Sequence, residues 1–365
     1  MTILQLQMTV QETRIKLAWM GQICRTYCVD RERLDAAGRD VRGVLQTIAN
    51  EYVCREASYL PYLPTLARAG ERLNAALFDS SDAGDPGEEV CAFLSTLKHR
   101  TSLSIYSDST VHLPWNFVFS ADPETMSPAT GEISDFNSFW ANRFKIRARF
   151  HQAALPPKQP IHRSSVKTLL ALHEKRFRDA TRALEDSPEL QAKIDKLLGH
   201  EVGFADNWFD CKSKWRNVKN DDSIIYIFAH SNGKKLTLRD DNPADPYPDP
   251  DRYQLDPNGF SACFKKDKSN TTNTLCFING CRTADGDWGN GFLSVTSTHG
   301  FQGFIGSEAE IPNDSATRYA VEFLTELLEK GSSVDRAYEK SRRSCFPMSL
   351  WYSCYAYPGF RISER

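Results

Sequence analysis

Apolar and polar residues alternate with a period of two over Ile3–Val10 and again over Thr13–Trp19. That pattern predicts two strands joined by a short turn, each with one buried face. From 30 to 78 the spacing lengthens: Leu34, Val41, Leu45, Ile48 and Tyr52 recur at intervals of 3–7 residues, a helical pattern broken by Pro61 and Pro64. The polar stretch Asp79–Glu88 reads as a loop before another helix through Cys91–Leu97, and Ser102–Tyr106 reads as a strand. The apolar run His112–Phe119 belongs in a core, and Phe139–Phe150 alternates basic with apolar residues. Pro156, Pro157 and Pro160 then mark the expected boundary between a supporting α/β lobe, 1–157, and a second lobe, 161–365.

Strand and helix patterns alternate after that boundary. Val166–Leu172 predicts a strand and Glu174–Leu198 a helix interrupted at Ser187 and Pro188. Two short apolar runs follow, Ile224–Phe228 and Leu275–Asn279. A helix is expected at Gly291–Thr298, a strand at Phe301–Ser307, and helices at Asp314–Glu329 and Val334–Ser344, with Asp314 as N-cap and Gly331 as stop. Trp351–Tyr357 predicts a closing strand. Buried strands separated by amphipathic helices specify an α/β fold, a mainly parallel sheet flanked by helices.

Composition narrows the function classes. The chain has 365 residues, 41% of them hydrophobic and 25% charged, enough for two modest domains with real cores. A net charge of −2 gives no nucleic-acid footprint, and no direct nucleic-acid binding is expected. No apolar run reaches the ~18 residues of a membrane span. The first residues alternate like a strand and lack a signal peptide's basic start and apolar block, so a cytoplasmic location is expected. The ten cysteines form no CxxC pair and are read as reduced thiols. Cys24 and Cys28 are spaced like zinc ligands but no second pair completes four, and Cys276 reads as a small core residue. No metal and no cofactor is expected, and no glycine-rich phosphate loop follows a strand.

The two central apolar runs carry the candidate chemistry. One ends in Phe228-Ala229-His230, the other in Asn279-Gly280-Cys281, and 51 residues separate the histidine from the cysteine. Neighbouring parallel strands present their C-terminal ends at one sheet edge, where ligands of open α/β folds bind. A thiol and an imidazole meeting there make an activated nucleophile: His230 would take the proton of Cys281 and later return it to a leaving amine. The amides of Cys281 and of Ser231 or Gly233 are candidate oxyanion donors. On spacing alone both residues also fit a purely structural reading. The Asp- and Pro-rich segment 239–257 reads as a solvated loop, or as a lid or acidic wall beside the pair. Asp285 and Asp287 read as loop and N-cap residues that would otherwise line the substrate cleft, and His299 reads as a helix-end histidine.

Several motifs in order strengthen the chemical reading. They are Leu113-Pro114-Trp115-Asn116, Ala229-His230-Ser231-Asn232-Gly233, Asn279-Gly280-Cys281-Arg282-Thr283, Gly303–Glu308 with Ile311-Pro312, and Leu350-Trp351-Tyr352. Together they resemble the CHAT family of caspase-like, separase-related cysteine peptidases (clan CD), in which a histidine about 50 residues upstream of the cysteine is a known spacing. The resemblance implies a cysteine endopeptidase that cuts a protein substrate through a His230/Cys281 dyad and an acyl-enzyme. It also implies a regulated role, such as prokaryotic antiviral defence or cell death, with an activating protein partner. Asn279 takes the place of the residue that lines the pocket for the substrate side chain in relatives. Glu308 and Glu310 fall where separase-like enzymes place an acidic residue that selects a basic substrate side chain. The chain departs from the family where Ser231 replaces the glycine after the histidine. That departure keeps an alternative open, a catalytically silent caspase-like scaffold that binds a partner.

Overall fold

The computed structural model describes residues 4–55, 59–80, 82, 84–107, 111–126, 133–150, 161–162, 167–172, 192–193, 202–205, 207–216, 223–238, 253–264, 272–285 and 291–363. The chain folds as two compact units, Met1–His151 and Gln152–Arg365. The three prolines expected at the boundary, and nearly all of the helix expected at Glu174–Leu198, lie outside the described residues.

The first unit contains β1 (Leu4–Gln11), β2 (Arg14–Met20), β3 (Arg25–Asp30), α1 (Arg31–Arg55), α2 (Leu63–Phe78), α3 (Pro86–Thr96), β4 (Thr101–Ser107), the short α4 (Trp140–Arg143) and β5 (Phe144–Phe150). Strand order is β3-β2-β1-β4-β5. The first three strands run antiparallel, whereas β1, β4 and β5 run parallel. Leu4, Leu6 and Met8 are buried while their neighbours on the strand are part-exposed, as the period of two demands. Strand β3 has little signal in the residues, because only Tyr27 and Val29 carry its alternation. Pro64 does not end a helix but lies in the first turn of α2, where a missing N–H is harmless.

Helix α2 meets the His112–Phe119 run at Gly70. A Cβ there would stand 2.2 Å from the Phe117 carbonyl oxygen, so only glycine allows the approach. The Phe119 N–H donates to the Gly70 carbonyl at 3.1 Å. Trp115, a core residue as expected, stacks on Trp140 with ring centroids 6.2 Å apart. His112 is buried in the same run, and burial, aided by the nearby Arg42 charge, lowers its pKa to about 3.

The second unit contains β6 (Ile161–His162), β7 (Lys167–Leu172), β8 (Val202–Ala205), α5 (Trp208–Arg216), β9 (Ser223–Phe228), β10 (His230–Ser231), β11 (Leu236–Thr237), β12 (Gln254–Leu255) and α6 (Pro257–Ser261). After these come β13 (Thr272–Asn279), α7 (Phe292–Thr298), β14 (Phe301–Ser307), α8 (Asn313–Leu324), α9 (Val334–Ser344), β15 (Tyr352–Ala356) and β16 (Ile362–Ser363). The main sheet runs β15-β14-β13-β9-β7-β8, parallel except for β15. Every residue of β9 and β14 is buried, which explains why β9 reads as the apolar run Ile224–Phe228. Two smaller pairings, β10-β11-β12 and β16-β6, complete the strands. With helices in both units, the chain is an α/β protein whose sheets are mostly parallel.

One expected helix start is corrected. Helix α8 is capped by Pro312, not Asp314, which lies within its first turn. Helix α7 starts where the sequence places it, with Gly291 as its cap. The α8 segment ends at Leu324 and continues as a π-helical turn, Thr325–Glu329, before Gly331 at φ +59° stops it. His299 caps the end of α7 and is buried, as expected.

Candidate active site

Strands β9 and β13 lie side by side with Asn279 level with Phe228. The last rung is the Ala229 N–H donating to the Asn279 carbonyl at 3.3 Å. Both chains leave the main sheet just past that rung, and the residues that leave first are His230 and Cys281. They line one cleft, with Ile311, Asn313 and Ala316 on its other side. His230 is exposed and Cys281 half-buried, with its Sγ 4.0 Å from the Ile311 carbonyl oxygen. The thiol is therefore both held and reachable, as a nucleophile requires.

Gly280 makes this convergence possible. A Cβ on it would lie 2.8 Å from the Ala229 carbonyl oxygen and 3.2 Å from the Ser231 Cβ. No side chain fits between the two strand ends.

The turn that carries Cys281 is bolted to the end of β14. Thr283 Oγ1 donates to the Ile278 carbonyl at 2.9 Å and accepts the Ser307 N–H at 3.1 Å. Ser307 Oγ sits 2.7 Å from the Gly280 carbonyl and 2.9 Å from that of Ala309. The Arg282 and Ala284 amides donate to the Ala309 and Ser307 carbonyls at 3.2 and 2.8 Å. Arg282 occupies the left-handed region at φ +58°, a strained conformation for a residue with a side chain. Its guanidinium is clamped on the Asp285 carboxylate at 2.5 and 2.8 Å. Asp285 is thus a turn residue paired with Arg282, while Asp287 and the 239–252 part of the Asp/Pro segment lie outside the described residues.

Asn279 is a buried keystone. Its Nδ2 donates to Tyr226 Oη at 2.9 Å and to the Ala316 carbonyl at 2.8 Å, and its Oδ1 accepts from Tyr352 Oη at 2.5 Å. One amide therefore ties β9, β13, β15 and α8 together below the thiol. Burial pushes both phenols far above their ordinary pKa, so they stay neutral. The first turn of α8 is tied to the end of β13 by the Asn279–Ala316 bond.

The remaining expected residues fall around the cleft. Ser231 Oγ accepts the Gly233 N–H at 3.0 Å, and Gly233, at φ +83°, packs against the 282–285 turn. Glu308 is buried, with its carboxylate on Ser353 Oγ and its amide on the Trp351 carbonyl. Glu310 is exposed. Neither glutamate belongs to the cleft wall. Ser307 and Ile311 enter the sequence reading only inside a motif and without a role, and Asn313 and Ala316 are not named in it. They belong to the end of β14, the loop after it and the start of α8, and only the fold brings them beside the cysteine.

No protein-family model matches the sequence. None of the curated proteins matches it. Solved structures do. The chain is similar over 99% of its length to the Saccharomyces cerevisiae separase–securin complex, at 9% identity and a TM-score of 0.49, and it spans 30% of that chain. It is similar over 89% of its length to the Arg-specific cysteine proteinase gingipain R, at 9% identity and a TM-score of 0.42, spanning 76% of that chain. The complex of Porphyromonas gingivalis RgpB pro- and mature domains matches over 92% of this chain and 78% of that one, at 10% identity and a TM-score of 0.41. None of these likenesses assigns a role to a residue. No helix among the described residues is long and apolar enough to cross a membrane.

Proposed function

We propose that this chain is a cysteine endopeptidase of the caspase-like type, with Cys281 as nucleophile and His230 as general base. The observation that carries the reading is that both side chains line one cleft at the C-terminal ends of adjacent, in-register strands. His230 takes the thiol proton and the thiolate attacks the scissile carbonyl carbon. The imidazolium then protonates the leaving amine as the C–N bond breaks, leaving a thioester. Water attacks the thioester, gives one proton to His230, and releases acid and thiol. The Cys281 amide is the proposed oxyanion donor, with Ser231 and Gly233 as its expected companions. In this reading the substrate is a protein, activity is switched on by a separate protein partner, and the setting is a cytoplasmic defence or cell-death response.

The test is mass-spectrometric mapping of cut sites in candidate substrate proteins, with wild type and Cys281→Ala side by side. The variant is expected to lose at least ~10³-fold in rate. A cut that persists in the variant sinks the mechanism. One observation favours a second reading: Ser231 stands where the family has its oxyanion-hole glycine, and the next glycine, Gly233, spends its N–H on Ser231 Oγ. A silent scaffold that binds a partner without cutting it predicts no labelling by thiol-directed substrate analogues.

A further inference from the structure

We infer that the cleft selects an uncharged side chain at the substrate residue whose carbonyl is attacked, and that Asn313 is the residue that reads it. The inference rests on the peptidase reading of the same cleft. Phe228, Ile311 and Ala316 give the cleft apolar walls, and no carboxylate and no lysine or arginine lines it among the described residues. The acidic groups nearby, among the described residues, are committed or turned elsewhere. Glu308 is buried on Ser353, Asp285 is clamped by Arg282, and Glu310 and Asp314 are exposed outside the cleft wall.

A lysine or arginine entering this cleft would give up water against apolar walls and meet no counter-charge among the described residues. An aspartate or glutamate would meet no lysine or arginine among them. Apart from the dyad, the polar lining is two asparagines. Asn279 has spent its amide on Tyr226, Ala316 and Tyr352. Asn313 makes no side-chain hydrogen bond among the described residues and is exposed on the first turn of α8. Its amide offers one acceptor and two donors, which match a hydroxyl or a carboxamide on the substrate and leave an ionised group unneutralised. The basic preference expected from Glu308 and Glu310 therefore has no carboxylate in the cleft to carry it.

The experiment uses the full chain and a set of peptidyl acyloxymethyl ketones that differ only in the residue next to the ketone: Ser, Asn, Gln, Ala, Arg, Lys or Asp. Labelling of Cys281 is followed by intact-mass spectrometry. Wild type is expected to react at least tenfold faster with the uncharged probes than with Arg, Lys or Asp. Asn313→Asp is expected to raise the Arg-to-Gln rate ratio at least tenfold, each rate being divided by the variant's own iodoacetamide rate at Cys281 so that a general change in thiol reactivity cancels. Asn313→Ala is expected to erase the advantage of Ser, Asn and Gln over Ala. A wild type that prefers Arg or Lys, or an Asn313→Asp profile identical to wild type, overturns the inference while leaving the peptidase reading standing. If no ketone labels Cys281 although iodoacetamide does, the peptidase reading itself fails and this inference falls with it.

Discussion

At the scale of single residues, the site depends on Gly280 as much as on the two groups that would do the chemistry. Its missing side chain lets the ends of β9 and β13 close to within a Cβ's reach of 2.8 Å. Gly280→Ala forces the Ala229 carbonyl or the Cys281 turn to move, at a cost of ~1–3 kcal/mol. The displacement acts where His230 and Cys281 must meet. Gly280→Ala is therefore expected to retain the fold, with a lower urea midpoint, and to lose peptidase rate by more than the stability change explains. Comparing the two midpoints with the two rates for a labelled substrate checks this. Equal rates would mean that the strand ends tolerate the methyl group and that their close approach is not needed.

At the scale of elements, β9 and the centre of β13 were legible because burial on both faces turns Ile224–Phe228 and Leu275–Ile278 into short apolar runs. The dyad was legible for the same reason, since polar residues reappear where the sheet stops. Other features had no local signal. Tyr27 and Val29 alone mark β3, and β8 is four residues long. The start of α8 was misplaced by two residues because Asp314 resembles an N-cap, while Pro312 sets the entry with its fixed φ. Asn279 was read as a residue facing substrate, yet its amide is a junction of four elements that no linear pattern announces. Asn279→Ala would strip partners from Tyr226 Oη, Tyr352 Oη and the Ala316 carbonyl. Each such group left unpaired costs ~1–3 kcal/mol. A drop of at least ~2 kcal/mol in unfolding free energy is expected from urea titration, and a neutral result would show that the phenols find other partners.

At the scale of the whole molecule, the buried His112 makes stability depend on pH. Its pKa falls from 6.5 to about 3 on folding, so it stays neutral in the native state. Above pH 6.5 both folded and unfolded forms leave it neutral, and it contributes no pH dependence. Below 6.5 the unfolded chain takes up a proton that the folded chain refuses, so stability falls by ~1.4 kcal/mol per pH unit until about pH 3. Urea unfolding at pH 7 and pH 5 is expected to differ by ~2 kcal/mol from this group alone. His112→Phe is expected to flatten that difference by the same amount, and an undiminished pH dependence in the variant would assign it to other groups.

The proposed base and nucleophile hang from different frames. Cys281 is anchored to a six-stranded slab through β13 and the bolts to β14. His230 rides on a ribbon with two paired positions on each side of β11, and its outer rung is supplied by β12, in the last part of the Asp/Pro segment. Short ladders open at lower free energy than buried central strands. The two halves of the dyad therefore have unequal thermal lifetimes. On warming, the ribbon slackens while the slab still stands, so alignment is lost before the fold is.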